Sequence, residues 1–167
     1  MATRKGLSPS QQLAILKHEF PKSTGTVHLG KMVWRGNFQP SPLSVKYKLK
    51  IVLEQDKNPK AYIDFPKPLP LADGAKTLPH TYRSSKGVQQ LCLFLPSAGE
   101  WNSSMQIATT IVHWVVQWMF YYELWVVTGK WLGGGHGNWD TEITESSDTS
   151  SHYKKVDQHS YSSNDFH

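Results

Sequence analysis

Cysteine is nearly absent from this sequence: Cys92 stands alone among 167 residues. No disulfide can form within the chain. A cysteine-rich zinc site is excluded too, because structural zinc usually takes four nitrogen or sulfur ligands at close spacing. His136, His152, His159 and His167 show no regular ligand spacing, so no metal and no cofactor are expected. Met1 to Gly6 lack the continuous apolar core of a secretory signal, which points to the reducing cytoplasm, where a free thiol persists. Basic residues are scarce in the second half. Residues 1–90 hold 15 Lys/Arg against 5 Asp/Glu, and residues 91–167 hold 3 against 8. Lys46, Lys48 and Lys50 alternate with apolar neighbours and read as the solvated face of a strand, so a nucleic-acid partner is not expected.

What is present suffices for one core. With 38% hydrophobic residues, the chain reads as one domain over residues 1–138, followed by a polar, disordered tail over 139–167 rich in serine pairs. A short amphipathic helix is predicted from Gln11 to Phe20, with Ser8 as its N-cap and Pro9 at its first position. Thr26 to Trp34 reads as a strand, punctuated by Arg35-Gly36-Asn37 and the Pro40-Ser41-Pro42 cluster. Val45 to Leu53 alternates apolar and lysine residues and gives the clearest strand, with Ala61 to Phe65 as the third. Short turns between the three predict an antiparallel meander, hence an α+β chain. Pro66, Pro68, Pro70 and Pro79 then make Phe65 to His80 a stiff, irregular loop that cannot sit inside a sheet.

Ser103 to about Trp131 reads as one long apolar helix with Trp114, Trp118, Tyr121 and Trp125 in a stripe, ended by Gly129 and the Gly133-Gly134-Gly135 run. Ile107 to Val127 has the length of a membrane span. His113, Gln117 and Glu123 inside that window and the abundance of aromatic rings favour a buried core helix, with no membrane association. His113 is expected in the core or at an interface. The glycines from Gly133 to Gly137 lack the Lys-Ser/Thr ending of a phosphate loop and read as a helix exit.

A lone cysteine in an apolar run is most often a small core hydrophobe. Cys92 differs in context: it follows a polar, glycine-containing loop, with His80 twelve residues earlier behind the proline-rich segment. A thiol at the mouth of such a loop is reachable by a large partner.

Leu78-Pro79-His80-Thr81-Tyr82, Gly87 and Leu91-Cys92-Leu93 resemble the active-site segment of ubiquitin-conjugating enzymes, in which His-Pro-Asn precedes a glycine loop and an apolar-Cys-Leu. Phe65-Pro66 upstream and Glu100-Trp101-Asn102 downstream fit the same order. Cys92, Pro96, Glu100-Trp101, Ile107 to Trp114, Tyr121 to Trp125, Thr128-Gly129, Trp131 and Gly133-Gly134 together look like the bacterial ubiquitin-conjugating-like proteins of CBASS antiphage operons, encoded beside cGAS-like nucleotidyltransferases. That resemblance implies a UBC-like fold with an N-terminal helix, a proline-rich active-site loop and a long C-terminal aromatic helix. It implies that Cys92 is the catalytic thiol, taking the C-terminus of the cGAS-like nucleotidyltransferase as a thioester and passing it to an amine. A separate activating enzyme is a further candidate partner. His80 and Tyr82 are candidate supporting residues, although each also reads as a purely structural loop residue. Thr81 and Tyr82 stand where the wider family has proline and asparagine, so Tyr82 offers one hydroxyl donor in place of an amide.

A thioester suits a thiol, because sulfur both attacks well and leaves well as thiolate. Two other readings stay open: an inactive UBC-fold binding module, and a cysteine hydrolase using Cys92 and His80. The latter lacks a recognisable third residue to orient the histidine.

Overall fold

The computed structural model describes residues 6–82 and 87–134. The expected tail over 139–167, and the glycines from Gly135 onward, lie outside the described residues.

Helix α1 (Pro9–Glu19) starts where local chemistry dictates. The Gln11 amide N–H donates to the Ser8 hydroxyl at 3.3 Å, and the Ser8 N–H donates back to the Gln11 side chain at 2.9 Å. This reciprocal cap satisfies two of the backbone donors that a helix start leaves open. Gln12 is fully buried with Leu16. Its amide donates to the Met105 carbonyl at 2.8 Å and accepts from the Ile107 N–H at 2.9 Å, so the first helix holds the segment that leads into the last.

Four strands follow in a fully antiparallel sheet of order β1-β2-β3-β4: β1 (Thr24–His28), β2 (Lys31–Phe38), β3 (Tyr47–Glu54) and β4 (Lys60–Phe65). The meander therefore has four strands, not the three expected. Thr26 to Trp34, read as one strand, is folded at Leu29-Gly30 into a hairpin in which Val27 pairs with Met32 and His28 with Lys31. Both turn residues have positive φ, 46° and 71°. Such a two-residue turn matches the twist of the flanking strands but usually carries Asn-Gly, and leucine at its first position gives no turn signal. Gly36, expected to interrupt, lies inside β2 opposite Leu49. A Cβ there would sit 2.8 Å from both the Trp34 and Phe38 rings, so the glycine makes room for them.

The inner face of the sheet carries Met32, Trp34, Tyr47, Leu49, Ile51 and Ile63, all essentially buried. Each such side chain contributes about 2 kcal/mol by leaving water. Helix α2 (Ile111–Thr128) shares this core through Ile111, Val115, Trp118, Met119, Tyr122 and Trp125. Trp114 and Tyr121, expected in the same stripe, are only half-buried. His113 is exposed, its Nδ1 3.2 Å from the Ala108 carbonyl oxygen.

Helix α2 begins eight residues later than the expected Ser103. Asn102 accepts from the Ser104 N–H at 3.0 Å, a side-chain turn that competes with helix. Gln12 then takes the Met105 carbonyl and the Ile107 N–H. Only a short 3-10 turn over Ile107–Thr109 precedes the helix proper. Gly129, in a left-handed conformation, ends it by donating to the Trp125 carbonyl at 2.8 Å. No described helix is long and apolar enough to cross a membrane.

Candidate functional site

The irregular segment from Phe65 to His80 contains cis bonds at Phe65–Pro66 and Lys67–Pro68. Three side chains, Tyr122, Gln89 and Thr81, take up backbone groups of this segment. Tyr122 donates to the Pro70 carbonyl at 2.7 Å, tying the segment to α2. Gln89 does more. Its amide nitrogen donates to the Ile63 and Pro66 carbonyls at 2.9 and 3.1 Å, and its oxygen accepts from the Leu69 N–H at 2.5 Å. Gln89 is 6% exposed, and each of those backbone groups left unpaired would cost about 1–3 kcal/mol.

Gln89 belongs to the run that ends at Cys92, and that run extends the sheet. The Ile63 N–H donates to the Gln89 carbonyl at 3.1 Å, and the Leu91 N–H to the Ala61 carbonyl at 2.9 Å, so residues 89–91 lie against the free edge of β4. Their opposite edge receives residues 80–82. There the Tyr82 N–H donates to the Gln90 carbonyl and the Cys92 N–H to the His80 carbonyl, both at 2.9 Å, around an antiparallel bridge between Thr81 and Leu91. Side chains alternate accordingly. Gln89 and Leu91 are buried, whereas Gln90 and Cys92 are half-buried on the other face.

Cys92 is thus a free, half-exposed thiol on a short ribbon rather than a core filler. The ribbon brings together all three residues singled out from the sequence, each differently. His80 meets Cys92 through its main-chain carbonyl. The residue is 6% exposed, and its ring packs against Trp131 at a tilt, 4.8 Å between centroids and 32° between planes. Its φ is +48°, a left-handed conformation. Histidine adopts that region more readily than most side chains, but holding it there still costs on the order of 1–3 kcal/mol unless the surroundings enforce it. Tyr82 is 45% exposed. Partial burial, then a side-chain hydrogen bond with Cys92 and the charge of its thiolate, push the phenol above its ordinary value.

A second polar group braces the far side of the core. Glu123 on α2 accepts from the Tyr47 hydroxyl at 2.9 Å and from the Ser44 hydroxyl at 2.5 Å. Burial first, then the hydrogen bond and charge of Glu123, push the Tyr47 phenol well above its usual range. Burial and the same charge push Tyr122 up to about 12. Among the described residues no group of three His, Cys, Asp or Glu side chains is placed to hold a metal ion.

Residues 12–138 match the family model for the Type II CBASS E2 protein, E2-CBASS, which takes in most of α1, the sheet, the Cys92 ribbon and α2. The chain belongs to that family. A CBASS E2-like role follows for the whole matched region, and Cys92 lies well inside it. No curated protein matches the chain. In this CBASS E2, Gln89, Gln12 and the Trp131–His80 contact carry structure that the residue order does not announce. A glutamine three positions before a cysteine has no motif value, and only the fold reveals what it bonds.

Proposed function

We propose that Cys92 accepts the C-terminus of a partner protein as a thioester and passes it to an amine, the partner being a cGAS-like nucleotidyltransferase primed in this way for antiphage signalling. The observation that carries this reading is a free, half-exposed thiol on an edge ribbon, hydrogen-bonded through its own backbone, in a chain of the E2-CBASS family. The helix, antiparallel sheet and proline-rich segment are read as a ubiquitin-conjugating-like fold, with residues 65–80 as its active-site loop.

The chemistry balances in two steps. The partner's C-terminal carboxyl arrives activated, by a separate enzyme or by the partner itself. The Cys92 sulfur attacks its carbonyl carbon, the activating group leaves with the thiol's proton passing to it or to water, and a thioester remains. An incoming amine then attacks the same carbon, the thiolate leaves and takes up the proton the amine sheds, and an amide forms. In this reading the Tyr82 hydroxyl donates to the oxygen of the tetrahedral intermediate, the role the resemblance assigns to an amide in the wider family. His80, whose ring packs against Trp131, is read as a structural support of the ribbon.

The test is direct. The full chain is incubated with the nucleotidyltransferase and its activating components, and adducts are identified by mass spectrometry. A reductant-sensitive adduct on Cys92, a reductant-stable one on Cys92→Ser and none on Cys92→Ala are expected. Undiminished phage protection by Cys92→Ala would leave a binding module as the answer.

A further inference from the structure

We propose that Trp131 is a positioning residue for Cys92, acting through His80. The functional consequence rests on the acyl-carrier reading of Cys92, but the mechanical link does not. After Gly129 ends α2, the chain turns back along the helix it has just left. Thr128 Oγ1 donates to the Leu124 carbonyl at 2.7 Å and accepts from the Lys130 N–H at 3.2 Å, shaping the exit. Trp131 then lies 6.0 Å from Trp118 and 6.1 Å from Tyr121, ring centre to ring centre. Its indole meets the His80 ring at 4.8 Å.

Two features show that this placement is built in. A Cβ on Gly133 would come within 2.8 Å of the Tyr121 ring and 2.9 Å of the Trp131 indole nitrogen, so the strap closes over the indole only because that residue is glycine. His80, held at φ +48°, needs surroundings that enforce the turn. The Thr81 hydroxyl donates to the Leu78 carbonyl at 3.0 Å on one side of the turn, and the indole packs on the ring at the other. The carbonyl of that same His80 takes the Cys92 N–H. Helix α2 thereby fixes the thiol's main chain through two rings in contact, although Cys92 and Trp131 are far apart in sequence.

The experiment uses the full chain with Trp131→Ala, Trp131→Phe and Gly133→Ala, the last moving the indole without removing it. Amide hydrogen exchange is read at Cys92 and Tyr82 against Leu49 and Ile51 in β3, beside the rate of adduct formation on Cys92. Trp131→Ala is expected to speed exchange at Cys92 and Tyr82 by about tenfold or more with β3 unchanged. Adduct formation should slow by about tenfold, because a thiol out of register meets its acyl donor poorly. Trp131→Phe restores most of both, and Gly133→Ala shows the same defect as Trp131→Ala in milder form. Unchanged exchange at Cys92, a rise shared equally by β3, or a phenylalanine variant no better than alanine would each overturn the proposal. If the parent forms no adduct, the acyl-carrier reading fails while the exchange data still decide the role of Trp131.

Discussion

The Cys92 N–H donates to the His80 carbonyl at 2.9 Å, so a histidine supports the thiol with its main chain while its ring packs against Trp131. A cysteine–histidine hydrolase needs the imidazole itself at the sulfur, oriented by a third residue. Tyr82 neighbours the sulfur, and Cys92 is the second cause, after burial, that raises its phenol above the ordinary value.

Tyr82 gives a prediction that needs no partner protein. Its phenol stands above the ordinary 10.0 because of burial first and the Cys92 hydrogen bond second. Cys92→Ala removes the second cause and leaves the first. The phenol should titrate at lower pH than in the parent, yet still above 10.0. A pH titration of ring-labelled tyrosine followed by NMR reads this, and an unmoved Tyr82 resonance would rule out the bond.

Gln89→Ala strands the Leu69 N–H and the Ile63 and Pro66 carbonyls in a buried site. The expected loss is about 3 kcal/mol, seen as a lower urea midpoint with an unchanged slope. Gln89→Glu should do no better, since a carboxylate would face two carbonyl oxygens.

Leu29 is 91% exposed at φ 46°, where leucine is strained and buries nothing. Leu29→Asn should stabilise the hairpin by about 0.5–1 kcal/mol, raising the melting temperature by roughly 1–4 °C. Calorimetry of the two proteins decides it.

Alkaline unfolding should carry the mark of Tyr122 and Tyr47. Tyr122 keeps its proton to about 12 in the folded protein, against 10.0 when free in solution, and Tyr47 keeps its own further still. The unfolded chain then binds fewer protons than the folded one at high pH. Stability from these groups is full below about pH 10 and falls as pH rises through the folded values. Tyr122→Phe should start from lower stability, having lost the Pro70 bond, but decline less steeply between about pH 9 and about pH 12. Urea midpoints across that range test the slope.

Local chemistry was legible and long-range partnership was not. Ser8, Pro9 and Gln11 spell out the start of α1 within four residues, and the lysine alternation spells out β3. The α+β class follows from those two signals. The first hairpin was hidden because leucine occupies a position that normally advertises itself with asparagine. Gly36 looked like a break because its reason, two aromatic rings closing over it, exists only in the folded sheet. The start of α2 was misplaced because Gln12 claims backbone groups that would otherwise extend the helix. At the site, the order around Cys92 drew attention to His80 and Tyr82, while Trp131 and Gln89 touch it only through contacts made across the fold.

Gln12 has a consequence for how the protein is made. Its partner Ile107 lies 95 residues further along. At ordinary synthesis rates of 5–20 residues per second, α1 leaves the ribosome roughly 5–20 seconds before the groups that Gln12 must bond. During that interval a polar side chain meant for the interior stays in water, and the apolar strands made after α1 cannot yet be covered by α2. The nascent chain thus stays incompletely folded until α2 has been made. Chaperone dependence during expression should therefore end only when synthesis has passed α2.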